Sequence, residues 1–198
     1  MADDADIFAA TRKPLSSILP GAVAEAAVAP AAPPTQLGFA MQRQQQDNWC
    51  WAAVAVSVSD FYIPPSPWTQ CRIADAELDQ AICCHDGASA ACNQWWYLNR
   101  ALDRTTHLVN WDEGMISLKA ITHEIDNGRP VGVRVEWAGG GGHFVVVAGY
   151  QLDPGGGHTI AVFDPWPASG DTLAQAWDTF AGQYLGTGRW THTYYTSA

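Results

Sequence analysis

Basic residues are scarce in this chain of 198 residues: ten Lys and Arg stand against twenty Asp and Glu, a formal net charge of −10. A surface so short of cations offers no electrostatic footprint for nucleic acid or for an anionic membrane face, so neither is expected as a partner. A basic peptide is permitted by that charge without being demanded by it. Long apolar runs are missing too, since no uninterrupted segment approaches the roughly 20 residues that a membrane-spanning helix requires. No internal repeat is present, and the glycines at 155–157 have no phosphate-loop context, so they read as a turn.

The chain does carry 47% hydrophobic residues, enough to bury one full core in a single domain with or without a tail. Residues 1–36 are rich in Ala and Pro, with Pro20, Pro30, Pro33 and Pro34, and lack the basic, apolar and cleavage regions of a secretory signal. They read as a flexible tail or pro-segment ahead of one domain over 37–198, and a monomer is expected. Ten tryptophans are many for this length. Most are expected in the core, with Trp51 and Trp166 as cleft walls because they flank the residues considered next.

The run Gln44-Gln45-Gln46-Asp47-Asn48-Trp49-Cys50-Trp51-Ala52-Ala53 is answered by Gly142-His143-Phe144-Val145-Val146-Val147 and then by Phe163-Asp164-Pro165-Trp166. These blocks hold the parts of a thiol-based acyl-transfer site: Cys50 as nucleophile, His143 as general base, Asp164 to orient the imidazole, and Gln44 to donate an N–H to an oxyanion. A thiol attacks carbonyls as its thiolate, which both a helix N-terminus and a neighbouring imidazolium favour. Asp47 and Asn48 are N-cap types, so a helix is expected to begin at Cys50 and run through Trp51–Val56. Val54, Val56 and Val58 also alternate with the period of a strand, and propensity alone leaves that conflict open. The glycines at 139–142 let a ligand backbone approach closely, which makes Gly141 and Gly142 candidate substrate contacts. Taken singly, each residue has a plainer reading: a core thiol, a core histidine, a turn at Asp-Pro.

Together the three blocks resemble the papain-like cysteine peptidases, and most closely a compact bacterial branch similar to plant-pathogen avirulence proteases and to peptidases that trim double-glycine leaders from bacteriocins. The resemblance runs from about Gln42 to the C-terminus. It implies that Cys50 heads a central helix, that His143 sits on a facing sheet, and that Gln44 is the oxyanion glutamine. Asp164 stands where papain has asparagine, and aspartate is the choice of the branch it most resembles. A peptide or protein substrate is implied, with small residues such as glycine before the scissile bond, and no cofactor. The same residues would also serve an acyl transferase of transglutaminase or amide-ligase type, a cell-wall amidase, or a non-catalytic binding protein on this fold.

Beside Cys50, four cysteines cluster at Cys71, Cys83, Cys84 and Cys92. Pairing the adjacent Cys83 and Cys84 would strain the backbone, which leaves 71–83 with 84–92 or 71–84 with 83–92. A zinc site using His85 is the rival, but no Cys-x2-Cys spacing is present, so no metal is expected. Paired cysteines after the helix in the resembling bacterial proteins imply disulfides, hence a secreted or exported protein, although the chain shows no recognisable signal peptide.

Downstream, a helix is expected through Trp95, Trp96, Leu98 and Leu102. A second has Ile116, Ala120, Ile121 and Ile125 on one face and is stopped by Gly128 and Pro130. Strands are expected at Val131–Trp137, His143–Tyr150, His158–Phe163 and Arg189–Tyr195. Helices first and antiparallel sheet second is an α+β order, with the cleft between the two halves.

Overall fold

The computed structural model describes residues 33–166 and 172–198. All but the last four residues of the expected tail therefore lie outside the described residues. In chain order the elements are β1 (Thr35–Gln36), α1 (Cys50–Tyr62), α2 (Gln70–Leu78), α3 (Leu98–Arg104), β2 (Leu108–Glu113), α4 (Leu118–Asp126), β3 (Val131–Trp137), β4 (Gly142–Leu152), β5 (His158–Phe163), β6 (Leu173–Ala176), α5 (Trp177–Gln183) and β7 (Gly188–Thr196). The seven strands form one antiparallel sheet in the order β2-β7-β3-β4-β5-β6, with β1 paired to β4. Thr35 and Gln36 thus join the sheet just before the expected start of the domain at 37.

The strand-or-helix conflict at Val54, Val56 and Val58 is resolved by burial on all sides. Every residue of α1 from Cys50 to Ser59 is buried, and a helix apolar all round belongs in the middle of a protein. Its two buried hydroxyls are satisfied: Ser57 Oγ donates to Ala53 O at 2.7 Å and accepts from Gln42 N at 2.9 Å, and Ser59 Oγ accepts from Ser66 Oγ at 2.9 Å. Asp47 and Asn48 do not cap it, contrary to expectation. Trp49 takes the N-cap position without a side-chain bond, while Asn48 is drawn sideways to Asn93. By contrast α2 and α4 are capped by the hydroxyls of Thr69 and Ser117.

The sheet is covered on both faces, which explains why β4 reads as an unbroken apolar run. Phe144, Val146 and Ala148 pack with Val54, Val58, Leu98 and Leu102 in the core on the α1 side. Val145 and Val147 join Ile121, Ile125, Phe180 and Tyr184 in the core under α4 and α5. Period-two alternation carries His143 toward the face of Val145 and Val147. The α+β class holds, but α4 and α5 are interleaved among the strands and do not precede them all.

Two disulfides, Cys71–Cys84 and Cys83–Cys92, select one of the two open connectivities. Asp75 lies close to the Cys83 and Cys92 sulfurs, but these are bonded to each other and Asp75 Oδ1 accepts the Cys83 N–H at 2.7 Å. Trp95 and Trp96 are not helical, because the chain before α3 is pulled straight. The carbonyls of Cys92 and Gln94 accept the indole N–H groups of Trp49 and Trp51, and Tyr97 enters α3 in an extended conformation. No helix among the described residues is long and apolar enough to cross a membrane.

Candidate active site

Cys50 is the first residue of α1, so its backbone N–H is one of the four that a helix leaves without an intrahelical acceptor. It is also the one free cysteine among the described residues, and it is buried. His143, at the start of β4, places Nε2 2.7 Å from Asp164 Oδ1. With Nε2 so occupied, Nδ1 is the ring nitrogen left for the Cys50 thiol, which is the other side-chain hydrogen-bond partner of this imidazole.

Burial is the largest single influence on His143 and opposes its charged form. The hydrogen bonds and charges of Asp164 and Cys50 outweigh it and push the imidazole up to about 9. Asp164 is the mirror case. Burial would raise it, but His143, the Tyr184 hydroxyl and the Trp166 N–H together hold the carboxyl below the usual carboxylate range. Its contacts are full: Oδ1 accepts from His143 and from Trp166 N at 2.7 Å, and Oδ2 accepts from Tyr184 Oη at 2.6 Å. Tyr184 is fully buried, and burial together with the Asp164 charge raises its phenol far above the ordinary range, so it remains a donor.

Aromatic rings fix the imidazole plane. Trp137 stacks on His143 with centroids 6.2 Å apart and on Tyr184 at the same distance, while Trp166 meets His143 edge-on at 6.5 Å. Neither Tyr184 nor Trp137 was identifiable as a site residue in the sequence. Only the buried phenol of Tyr184, which demands an acceptor, would have hinted at one.

A cavity of about 390 Å³ opens over these groups, lined by Cys50, His143, Asp164, Trp166, Asn48 and Leu185 among others. Gly142 and Trp166 line it, and Gly141 lines a larger adjoining cleft. Trp51 does not line either. One residue on from Cys50 is a rotation of about 100° around the helix, which turns the indole into the core, where it is fully buried and donates to Gln94 O at 3.0 Å.

Gln44 lies beside the site in the loop leading to α1, its backbone N–H bonded to Pro165 O at 2.9 Å. Its Nε2 donates to Gln46 O at 2.9 Å and to Asp47 O at 2.8 Å. Its Oε1 is buried without a partner. Both amide hydrogens are thus committed to the loop in this conformation.

A buried helix presenting a thiol to a histidine and carboxylate held at the end of an antiparallel sheet is the architecture of the papain-like thiol peptidases and their relatives. The chain belongs to the Peptidase_C39 like family, whose profile matches residues 36–195 and spans all four candidate positions. No curated protein matches the chain.

Proposed function

We propose that the protein is a cysteine endopeptidase that cuts peptide bonds through an acyl-enzyme. The Cys50 thiolate attacks the substrate carbonyl, forming the S–C bond, and the imidazolium of His143 gives its proton to the departing amine as the C–N bond breaks. Water then adds to the thioester, His143 takes its proton, and the thiolate leaves. Asp164 keeps Nε2 engaged and favours the charged ring in each half-reaction. The developing oxyanion is met by the Cys50 backbone N–H and by Gln44, which must turn one Nε2 hydrogen away from the loop carbonyls to reach it.

The observation that carries this reading is one imidazole bonded on one side to a buried carboxylate and on the other to a free thiol at a helix N-terminus, beneath an open cavity. The two disulfides support a destination outside the reducing cytoplasm. The test is Cys50→Ala together with labelling of the wild type by an epoxysuccinyl peptide analogue. Expected are abolished hydrolysis with an unchanged circular dichroism spectrum, and one adduct, on Cys50. Hydrolysis persisting in Cys50→Ala would overturn the assignment.

A further inference from the structure

We propose that the cleft beyond Gly142 is a subsite for an acidic side chain, Asp or Glu, of the substrate, anchored by Arg134 and Arg100. This takes its substrate class from the peptidase reading. The cleft has a volume of about 800 Å³ and adjoins the cavity over Cys50, the two sharing Asn48, Trp95 and Gly142.

Its charge runs against that of the whole chain. Arg104 is paired with Glu77 and Arg129 with Glu124 at 2.7 Å away from the cleft, while Glu136, the one carboxylate lining it, is held by Arg189 at 3.1 Å. Arg134 has only a 3.8 Å approach to Glu136, the carboxylate that Arg189 already holds more closely. Arg100 lies over the rings of Trp96 and Tyr97 at 5.6 and 5.5 Å, and among the described residues no carboxylate pairs with it. Both guanidinium groups face the same cleft, in a protein with a net charge of −10.

The position of Arg134 is built and not incidental. Thr191 Oγ1 accepts from Nη1 at 2.8 Å, and the guanidinium fills the space where residue 142 would carry a side chain. A Cβ at Gly142 would stand 2.8 Å from Nη2 and 3.0 Å from Cζ and Nε. The missing side chain therefore lets a cation sit flat against the strand one residue from His143. A carboxylate bound there is met by a planar fork suited to two parallel hydrogen bonds. The exposed rings of Trp95 and Trp111 form walls for the aliphatic stem and the neighbouring backbone.

The experiment has two arms. Wild type is given an acetylated, C-terminally amidated peptide library, and the cleaved products are read by mass spectrometry. The Cys50→Ala protein is titrated with matched Glu and Gln peptides from the same set, plus a neutral peptide with a free C-terminus. Glu or Asp should be favoured over Gln or Asn at one fixed position by about 10- to 100-fold, the range for hydrogen bonds to a charged group. Arg100→Gln should reduce this ratio, and Arg100→Gln with Arg134→Gln should bring it to about 1. Arg100 is exposed, so the single variant gives an answer even if the double variant does not fold. Equal binding and cleavage of Glu and Gln peptides, or a preference untouched by either substitution, would overturn the subsite. Tighter binding of the free-acid peptide alone would overturn it in favour of a chain-end carboxylate. Arginine-dependent binding without any cleavage would leave the subsite standing and remove the peptidase reading instead.

Discussion

Tyr184 Oη donates to Asp164 Oδ2 at 2.6 Å, on the opposite carboxylate oxygen from the one that His143 occupies. The phenol is fully buried at the C-terminal end of α5, so the carboxylate is held from both sides and its orientation toward the imidazole is fixed by the core. Tyr184→Phe keeps the ring packing and removes only this donor. A hydrogen bond to a charged group contributes about 1.5–3 kcal/mol, so stability should fall by an amount of that order. Because the bond also helps hold Asp164 in its ionised form, the acid limb of the kcat/KM profile should move to higher pH. A thermal shift with an unmoved pH profile would reduce Tyr184 to packing.

The pH dependence at the other end follows from His143. Its conjugate acid supplies the proton to the leaving amine and faces the thiolate, and it is pushed up to about 9 from its ordinary value of 6.5. Activity that needs the imidazolium should therefore persist through neutral pH and fall as pH rises through about 9. The associated stability has the same sign: fully present below 6.5 and lost as pH passes through about 9. Asp164→Asn removes the leading upward influence, so the alkaline limb should shift toward lower pH, alongside a fall in rate. The check is kcat/KM against pH for both proteins. An alkaline limb left in place by Asp164→Asn would show that some other group sets it.

How far the sequence told this story depends on what each signal was made of. The strands β3, β5 and β7 alternate or run apolar because their side chains are buried, and period-two burial is written directly in residue type. Strand β2 is not legible in the sequence because all but its first residue is exposed, so it carries no buried face to read. Residue types announce the helix at Cys50 but not its cap, since the pull of Asn93 on Asn48 comes from a loop 45 residues away. The same tertiary reach hides Tyr184, whose partner lies 20 residues upstream, just past the end of β5. Cys50, His143 and Asp164 were legible as types in sequence blocks. Trp51 shows the limit of adjacency, because a neighbour along a helix points elsewhere.

The Cys83–Cys92 disulfide anchors the start of α1 from outside. Cys92 O accepts the Trp49 indole N–H at 2.7 Å, Asn93 receives Asn48 N–H and Nδ2 through its side-chain and backbone oxygens, and Gln94 O accepts from Trp51. Four hydrogen bonds thus run from the cystine loop to the segment that carries the thiol. Replacing both cysteines by Ala should cost about 2–4 kcal/mol, as for closure of a short loop, and should also lower kcat/KM. Thermal melting and steady-state kinetics on the double variant check this, with Cys71→Ala/Cys84→Ala as the comparison. If the two pairs proved equivalent in rate, the loop would be a stabiliser without influence on the site.

Gln44 separates two roles that coincide in one amide. As an oxyanion donor, its loss should cost about 10²–10³ in kcat with KM little changed. As a clamp on Gln46 O and Asp47 O it also fixes the loop before Cys50, and each of these two hydrogen bonds contributes about 0.5–1.5 kcal/mol, with Gln46 O keeping the Trp49 N–H as a second donor. The orphaned Oε1 means that nothing but those two carbonyls holds the amide in its present orientation, so turning one hydrogen toward the substrate sacrifices a single bond. Gln44→Ala should therefore show both losses together. Gln44→Glu discriminates between them: a carboxylate cannot donate to the loop or to an oxyanion, and it places a negative charge beside the developing one. Its kcat should fall below that of Gln44→Ala while its melting temperature falls to a similar degree. A Gln44→Ala protein with full kcat and a lowered melting temperature would leave the Cys50 N–H as the oxyanion donor and Gln44 as part of the scaffold.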